Sequence, residues 1–265
     1  MTGLMSGKRG LVMGVANDHS IAWGIAQALH AQGAELAFTY QGEAFGKRVQ
    51  PLAASLGSDI LLPCDVEDIA TVDAVFDALK SKWGTIDFVV HAIAFSDKNE
   101  LKGKFADTSR DNFVKTMVIS AFSFVEITKR AAALMPKGGS IITLTYGGST
   151  RVMPNYNVMG VAKAALESSV RYLAGDYGPQ GIRVNAISAG PMRTLAGAGI
   201  GDARAMFNYQ AEHAPLRRTI TLEEVGGAGL YLLSPLSSGV TGEIHYVESG
   251  YNIISMPRPE DLVKS

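Results

Sequence analysis

Tyr156 and Lys163 place a phenol and an ammonium in the stretch YNVMGVAK. Seven helical steps of about 100° return the second side chain to the face of the first, two turns on. A proton donor beside a cation suits a reaction in which negative charge develops on an oxygen. Enzymes that pair these groups on a helix commonly space them by four, yet the residue four before Lys163 is Met159. Methionine donates no proton, so the tyrosine stands one turn, ~5 Å along the axis, too early for that arrangement.

A second concentration of chemistry follows the first apolar run. GVANDHSIAWG (14–24) has a glycine at a strand end, then small residues and a helix N-terminus. Backbone N–H groups and the helix dipole there suit a pyrophosphate. Only Gly14 and Gly24 remain of a glycine fingerprint, and Ser20 is the expected N-cap, able to cap the helix or donate to phosphate. At the end of the second run, Tyr40-Gln41 stands where NAD enzymes often carry an acid for the adenosine ribose. Neither that acid nor an adjacent cation is present, and Gln41 gains little from a 2′-phosphate, which favours NADH over NADPH. Asp65, in CDV, suits either the adenine amino group or the start of the next helix.

These residues need a scaffold that gathers them. Apolar runs at 9–15, 35–40, 59–66, 86–95, 139–146, 181–190 and 242–250 read as strands. Helical patterns lie between them at 20–33, 43–55, 67–83, 109–134 and 156–177, with two more after residue 202. Near-continuous apolar strands alternating with helices predict an α/β fold: a single Rossmann-like doubly wound domain, residues 1–265, its seven-stranded parallel sheet flanked by helices. A TIM barrel would need an eighth βα unit, for which the chain has no room. The Ala/Gly-rich TLAGAGIG belongs to a long connection near 191–213 that reads as a lid.

Bulk properties narrow the class. With 265 residues, 18% charged and a formal net charge of −1, the chain lacks the basic field of a nucleic-acid binder. A single cysteine, Cys64, fits a reducing compartment. No membrane span or signal segment is evident, so a soluble, cytoplasmic protein is expected. His19, His91 and His245 lack metal-ligand spacing, and no metal site is expected.

GVANDHSIAWGIA, TYQ, CDV, HAIAF, YNVMGVAKAALE and RVNAISAGPMRTLA occur in the order seen in bacterial enoyl-acyl-carrier-protein reductases of the short-chain dehydrogenase/reductase superfamily, which the chain resembles over nearly its full length. The resemblance implies NADH-dependent reduction of a trans-2-enoyl thioester in fatty acid elongation, with an acyl carrier protein as partner and a homotetrameric assembly. It implies that Tyr156 donates to the thioester carbonyl, that Lys163 holds the nicotinamide ribose, and that Tyr146 lines the acyl site. Gly14, Ser20, Ile21, Gln41, Asp65, Val66 and Ile93 would line the dinucleotide groove. Met192, Arg193, Thr194, Leu195 and Ala196 would lie over the nicotinamide and pyrophosphate. Ser96, where the family often shows alanine, falls on the substrate side.

The displaced tyrosine then acquires a reason. In a ketone, hydride enters the carbon bearing the oxygen; in an enoyl thioester it enters C3, and charge appears on an oxygen further away. The donor must therefore reach further. Two rivals remain at this level: a ketone or alcohol dehydrogenase of the same superfamily, and a catalytically silent NAD-binding regulator. Met159 speaks against the first, and the retained Tyr156 and Lys163 against the second.

Overall fold

The computed structural model describes residues 3–192, 194, 203–256 and 258. Seven parallel strands form one sheet: β1 (Arg9–Met13), β2 (Glu35–Tyr40), β3 (Leu61–Pro63), β4 (Phe88–His91), β5 (Gly139–Thr145), β6 (Ile182–Ala189) and β7 (Ile244–Val247). Their order is β3-β2-β1-β4-β5-β6-β7, so the chain reverses its direction of travel across the sheet between β1 and β4. A crevice opens at such a reversal, beyond the carboxyl ends of the strands. The sheet is open, which removes the barrel alternative.

Helices cover both faces. On one, α1 (Ile21–Ala31), α2 (Gly42–Ser55) and α8 (Leu222–Leu233) pack Trp23, Ile25, Val49, Val225 and Leu232 against Val12, Phe38 and Val90. On the other, α3 (Ile69–Trp83), α4 (Arg110–Met117), α5 (Ser123–Ala133) and α6 (Asn157–Tyr177) bring Val72, Phe124, Ile127, Leu166 and Val170 onto Leu11, Val89 and Ile141. β4 buries all four of its residues. Burial of both faces explains why these strands read as apolar runs without alternation. α7 (Ala203–His213) follows the undescribed part of the proposed lid.

Three local features differ from the sequence expectation. The helix expected at 109–134 is two helices joined by a π-helical turn, Val118–Phe122. The Ser123 hydroxyl donates to the Ile119 carbonyl at 2.7 Å, and Ser120 both donates to Phe95 O and accepts from Phe95 N, each at 3.0 Å. The wide turn is thus fixed by contacts with the segment after β4. Second, Ser20 is the N-cap of α1 but makes no side-chain cap bond. Its hydroxyl instead folds back and accepts from Ala16 N and Asn17 N, at 3.0 and 3.1 Å. Third, Tyr156 is not inside α6 but at its N-cap, where Met159 N donates to its carbonyl at 2.9 Å.

Candidate active site

Every proposed site residue that the structure describes, up to Tyr146 and again at Met192 and Thr194, follows the carboxyl end of a strand. Gly14 ends β1 with φ +93°, and a Cβ there would come within about 2.0 Å of the Ala92 carbonyl oxygen. Only glycine fits both the backbone angle and that approach. The loop from Gly14 to Ser20 is then held by the Ser20 hydroxyl. α1 has no acidic residue in its first turn and no side-chain cap. Its N-terminal partial charge therefore has no neutralising partner within the helix, which fits a bound pyrophosphate. Ile21 opens the helix beside it.

Gln41 and Asp65, the residues expected at the adenosine end, meet beyond β2 and β3. The Gln41 amide Nε2 donates to Asp65 Oδ2 at 3.0 Å, while Asp65 Oδ1 accepts from Glu67 N at 3.0 Å. Thr71 fixes the Asp65 backbone by accepting from its N–H and donating to its carbonyl, both at 2.9 Å. The side-chain cap of α3 is Asp68, accepting from Ala70 N, which leaves the Asp65 carboxylate to Gln41 and its own turn. Val66 and Ile93 pack in the core layer below.

The tyrosines and the lysine meet at the end of β5. Tyr146 and Tyr156 have ring centroids 5.2 Å apart at 75°, an edge-on pair. A Cβ on Gly148 would lie about 2.5 Å from the Tyr156 ring, so the turn Gly147–Ser149 closes against that ring only because a glycine stands there. Lys163 is 6% exposed, and its Nζ donates to the Leu144 carbonyl at 2.8 Å. Burial lowers its pKa to about 8, against the opposing pull of Glu167. Tyr156 is raised well above the phenol range by burial, with Tyr146 and Glu167 adding to it. Burial likewise raises Tyr146, to about 12, with Tyr251 and Glu248 contributing. Both phenols thus hold their protons throughout the neutral range. Met159 occupies the position four before the lysine, buried with Leu101, Val158 and Ala162.

Ser96 lies in the loop after β4, where its hydroxyl accepts from Thr116 Oγ1 at 2.9 Å and approaches Asn112 at 3.3 Å. That hydroxyl anchors the loop to α4. Met192 packs against the β6 side of the core, and Thr194 N donates to Met192 O at 2.8 Å. Arg193, Leu195 and Ala196 lie outside the described residues. Among the described residues no group of three or more His, Cys, Asp or Glu could hold a metal, and no helix is long and apolar enough to cross a membrane.

Sequence reasoning missed the polar layer beneath the pair. Glu167, buried, accepts from Thr145 Oγ1 at 2.7 Å. Its spacing of four from Lys163 places it on the same helix face, a signal that was available. His91, fully buried, faces Thr143 Oγ1 at 3.1 Å and Ser123 Oγ at 2.9 Å. Both hydroxyls also donate to backbone carbonyls, Ser123 to Ile119 O and Thr143 to His91 O. Burial, and then the Lys163 charge, hold His91 neutral with a pKa of about 3.

An open parallel sheet, a phosphate turn after β1 and a tyrosine–lysine pair after β5 define a short-chain, nicotinamide-dinucleotide type of oxidoreductase. Residues 14–252 match the family model described as enoyl-(acyl carrier protein) reductase. The chain belongs to that family. It is 76% identical over 262 residues to the enoyl-[acyl-carrier-protein] reductase [NADH] 2 of Rhizobium meliloti, covering 99% of this chain and 98% of the relative. The Anaplasma phagocytophilum enoyl-(acyl-carrier-protein) reductase, solved in complex with NAD, superposes with a TM-score of 0.94 at 57% identity, covering 97% of this chain and 98% of that one. The Bacillus cereus enzyme, solved with NADP+ and an indole naphthyridinone, gives a TM-score of 0.94 at 52% identity over 96% of this chain and all of that one.

Proposed function

We propose that this chain reduces the trans-2 double bond of enoyl-acyl-carrier-protein thioesters with NADH, in fatty acid elongation. The observation that carries the reading is the displaced donor: Tyr156, buried, protonated and edge-on to Tyr146 at the entrance of the helix that carries Lys163, with Met159 in the place where a ketone reductase needs its acid. Bound NADH supplies the hydride that enters C3 of the substrate. Tyr156 donates its phenolic proton's hydrogen bond to the thioester carbonyl oxygen, and that bond strengthens as the oxygen acquires enolate charge. Lys163 holds the nicotinamide ribose hydroxyls and adds positive potential at the same oxygen. Tyr146, edge-on to Tyr156, and Ser96 flank the acyl chain.

Gly14, Ser20 and Ile21 hold the pyrophosphate, while Gln41, Asp65 and Val66 take the adenosine and Ile93 floors the groove. Met192 and Thr194 flank the nicotinamide side; the resemblance gives the same role to Arg193, Leu195 and Ala196, which lie outside the described residues. The chain works as one domain, in the cytoplasm, as a homotetramer that receives its substrate from acyl carrier protein. The decisive assay follows loss of NADH absorbance with a decenoyl thioester and, separately, a 3-ketoacyl thioester. Turnover of the enoyl substrate alone is expected. Turnover of the ketoacyl substrate alone would sink the reading, and turnover of neither would favour a silent regulator.

Coenzyme choice follows from the adenosine end. Asp65 occupies the Gln41 amide nitrogen, leaving the amide oxygen to accept from a ribose hydroxyl and setting a carboxylate near any 2′-phosphate. Gln41→Arg should raise kcat/KM with NADPH by about 10- to 100-fold, the worth of one charge-assisted hydrogen bond. Parallel titrations with the two coenzymes read it; an unchanged NADPH value would place selectivity elsewhere.

A further inference from the structure

The tyrosine–lysine pair rests on a buried carboxylate that no step above uses. Glu167 stands one turn beyond Lys163 on α6, is 5% exposed, and is tied by the Thr145 hydroxyl at 2.7 Å. Lys163 carries its charge into the same apolar layer, where its one described hydrogen bond goes to a neutral carbonyl. An ammonium buried against neutral dipoles alone tends to lose its proton, and a neutral amine is a poorer donor to sugar hydroxyls. We propose that Glu167, held by Thr145, is the positioning counter-charge that keeps Lys163 cationic.

Three observations converge on this role. Glu167 opposes the effect of burial on Lys163, and it adds to the effect of burial on Tyr156. Among the described residues, Glu167 is the one charged group that bears on Lys163, while the buried Glu248 bears on Tyr146 instead. His91, from β4, is neutral and, if protonated, would repel Lys163. Thr143 and Thr145 from β5 and Ser120 from the π turn are uncharged hydroxyls. Tyr146, at the end of β5, holds its proton. The cations of neighbouring elements are engaged elsewhere: Lys115 of α4 with Glu67, Arg130 of α5 with Asp73, and Arg183 of β6 with the carbonyls of Val240 and Ser234. Thr145 bonds to one carboxylate oxygen, which fixes the direction in which the charge points.

The proposal rests on the ribose role of Lys163, and the experiment separates the two. NADH dissociation constants are measured from nicotinamide fluorescence between about pH 6 and 9.5, alongside the pH profile of kcat/KM. The wild-type chain should lose affinity through an alkaline limb; absence of any limb would overturn the role of Lys163 itself. In Glu167→Gln that limb should move about one pH unit toward acid in both measurements, while Glu167→Asp keeps it near the wild-type position. A limb that stays in place in Glu167→Gln overturns the counter-charge. Should that variant fail to fold, Thr145→Val carries the test: freeing the carboxylate should move the limb in the same direction by a smaller amount, and an unmoved limb counts against the proposal equally.

Discussion

Tyr156→Phe is expected to lower kcat by on the order of 10²-fold with an enoyl thioester, as loss of one oxyanion donor does, and to leave NADH affinity within about twofold. The ring is retained, so its edge-on contact with Tyr146 and its fit against Gly148 survive. Only the hydroxyl is lost, and it matters chiefly when charge gathers on the thioester oxygen. Steady-state rates with a decenoyl thioester, together with NADH fluorescence titration, separate the two effects. An unchanged kcat would move the proton donor away from Tyr156. A parallel loss of NADH affinity would instead mean that the substitution disturbs the cofactor side.

Lys163→Met should produce opposite changes in binding and stability. Loss of the charged donor should weaken NADH binding by about 10- to 100-fold. The cofactor-free protein should nevertheless become more stable at pH 7. Burial lowers the lysine from 10.5 to about 8, so the folded chain carries a charge it holds less readily than the unfolded chain does. The sign follows directly. At pH 7 both states bind the proton and the folded state bears the cost of burying it, on the order of 3 kcal/mol before lost contacts are counted. Between about pH 8 and 10.5 the unfolded state binds more protons, so the wild-type chain gains stability relative to the variant as pH rises. Thermal unfolding at pH 7 and pH 9.5 reads this: the variant should melt a few degrees higher at pH 7, with a narrower gap at pH 9.5. A variant that melts lower at both values would show that the ammonium is a structural tie rather than a functional burden.

Much of the fold was legible because periodicity and burial agree. ELAFTY gives the bounds of β2, since apolar residues end at a polar cap on either side. β3, Leu61–Pro63, is shorter than the apolar run that announced it, with Pro63 paired to Tyr40 at the sheet edge where a missing N–H is tolerated. The π turn left no local signal. It is fixed by Ser120 and Ser123, whose partners Phe95 and His91 lie 25 and 32 residues away. The serine at the start of α1 was recognisable, but the direction of its hydroxyl depends on the loop geometry around Asn17. Motif spacing singled out Tyr156 and Lys163; it could not reveal Gln41 restrained by Asp65, because that contact forms only when β2 and β3 lie side by side. Glu167 shared a helix face with Lys163 all along, but a lone acid on an amphipathic helix ordinarily faces water, and only burial distinguishes it.

The mounting of Tyr156 gives the acid and the cation different freedoms. Lys163 is fixed within α6, whereas Tyr156 sits at the helix entrance between Asn155 and Asn157, both with positive φ, at +57° and +33°. Such backbone suits asparagine better than most residues. The position of the phenol is therefore set by a short piece of chain outside the helix, while the ammonium is carried within α6. Placing a tyrosine back at residue 159 would meet a filled position, since Met159 is packed among Leu101, Val158 and Ala162. The phenol and Met159 share one buried cluster, so the position of the ring depends on two asparagines of left-handed backbone and on the packing of the first helical turn together.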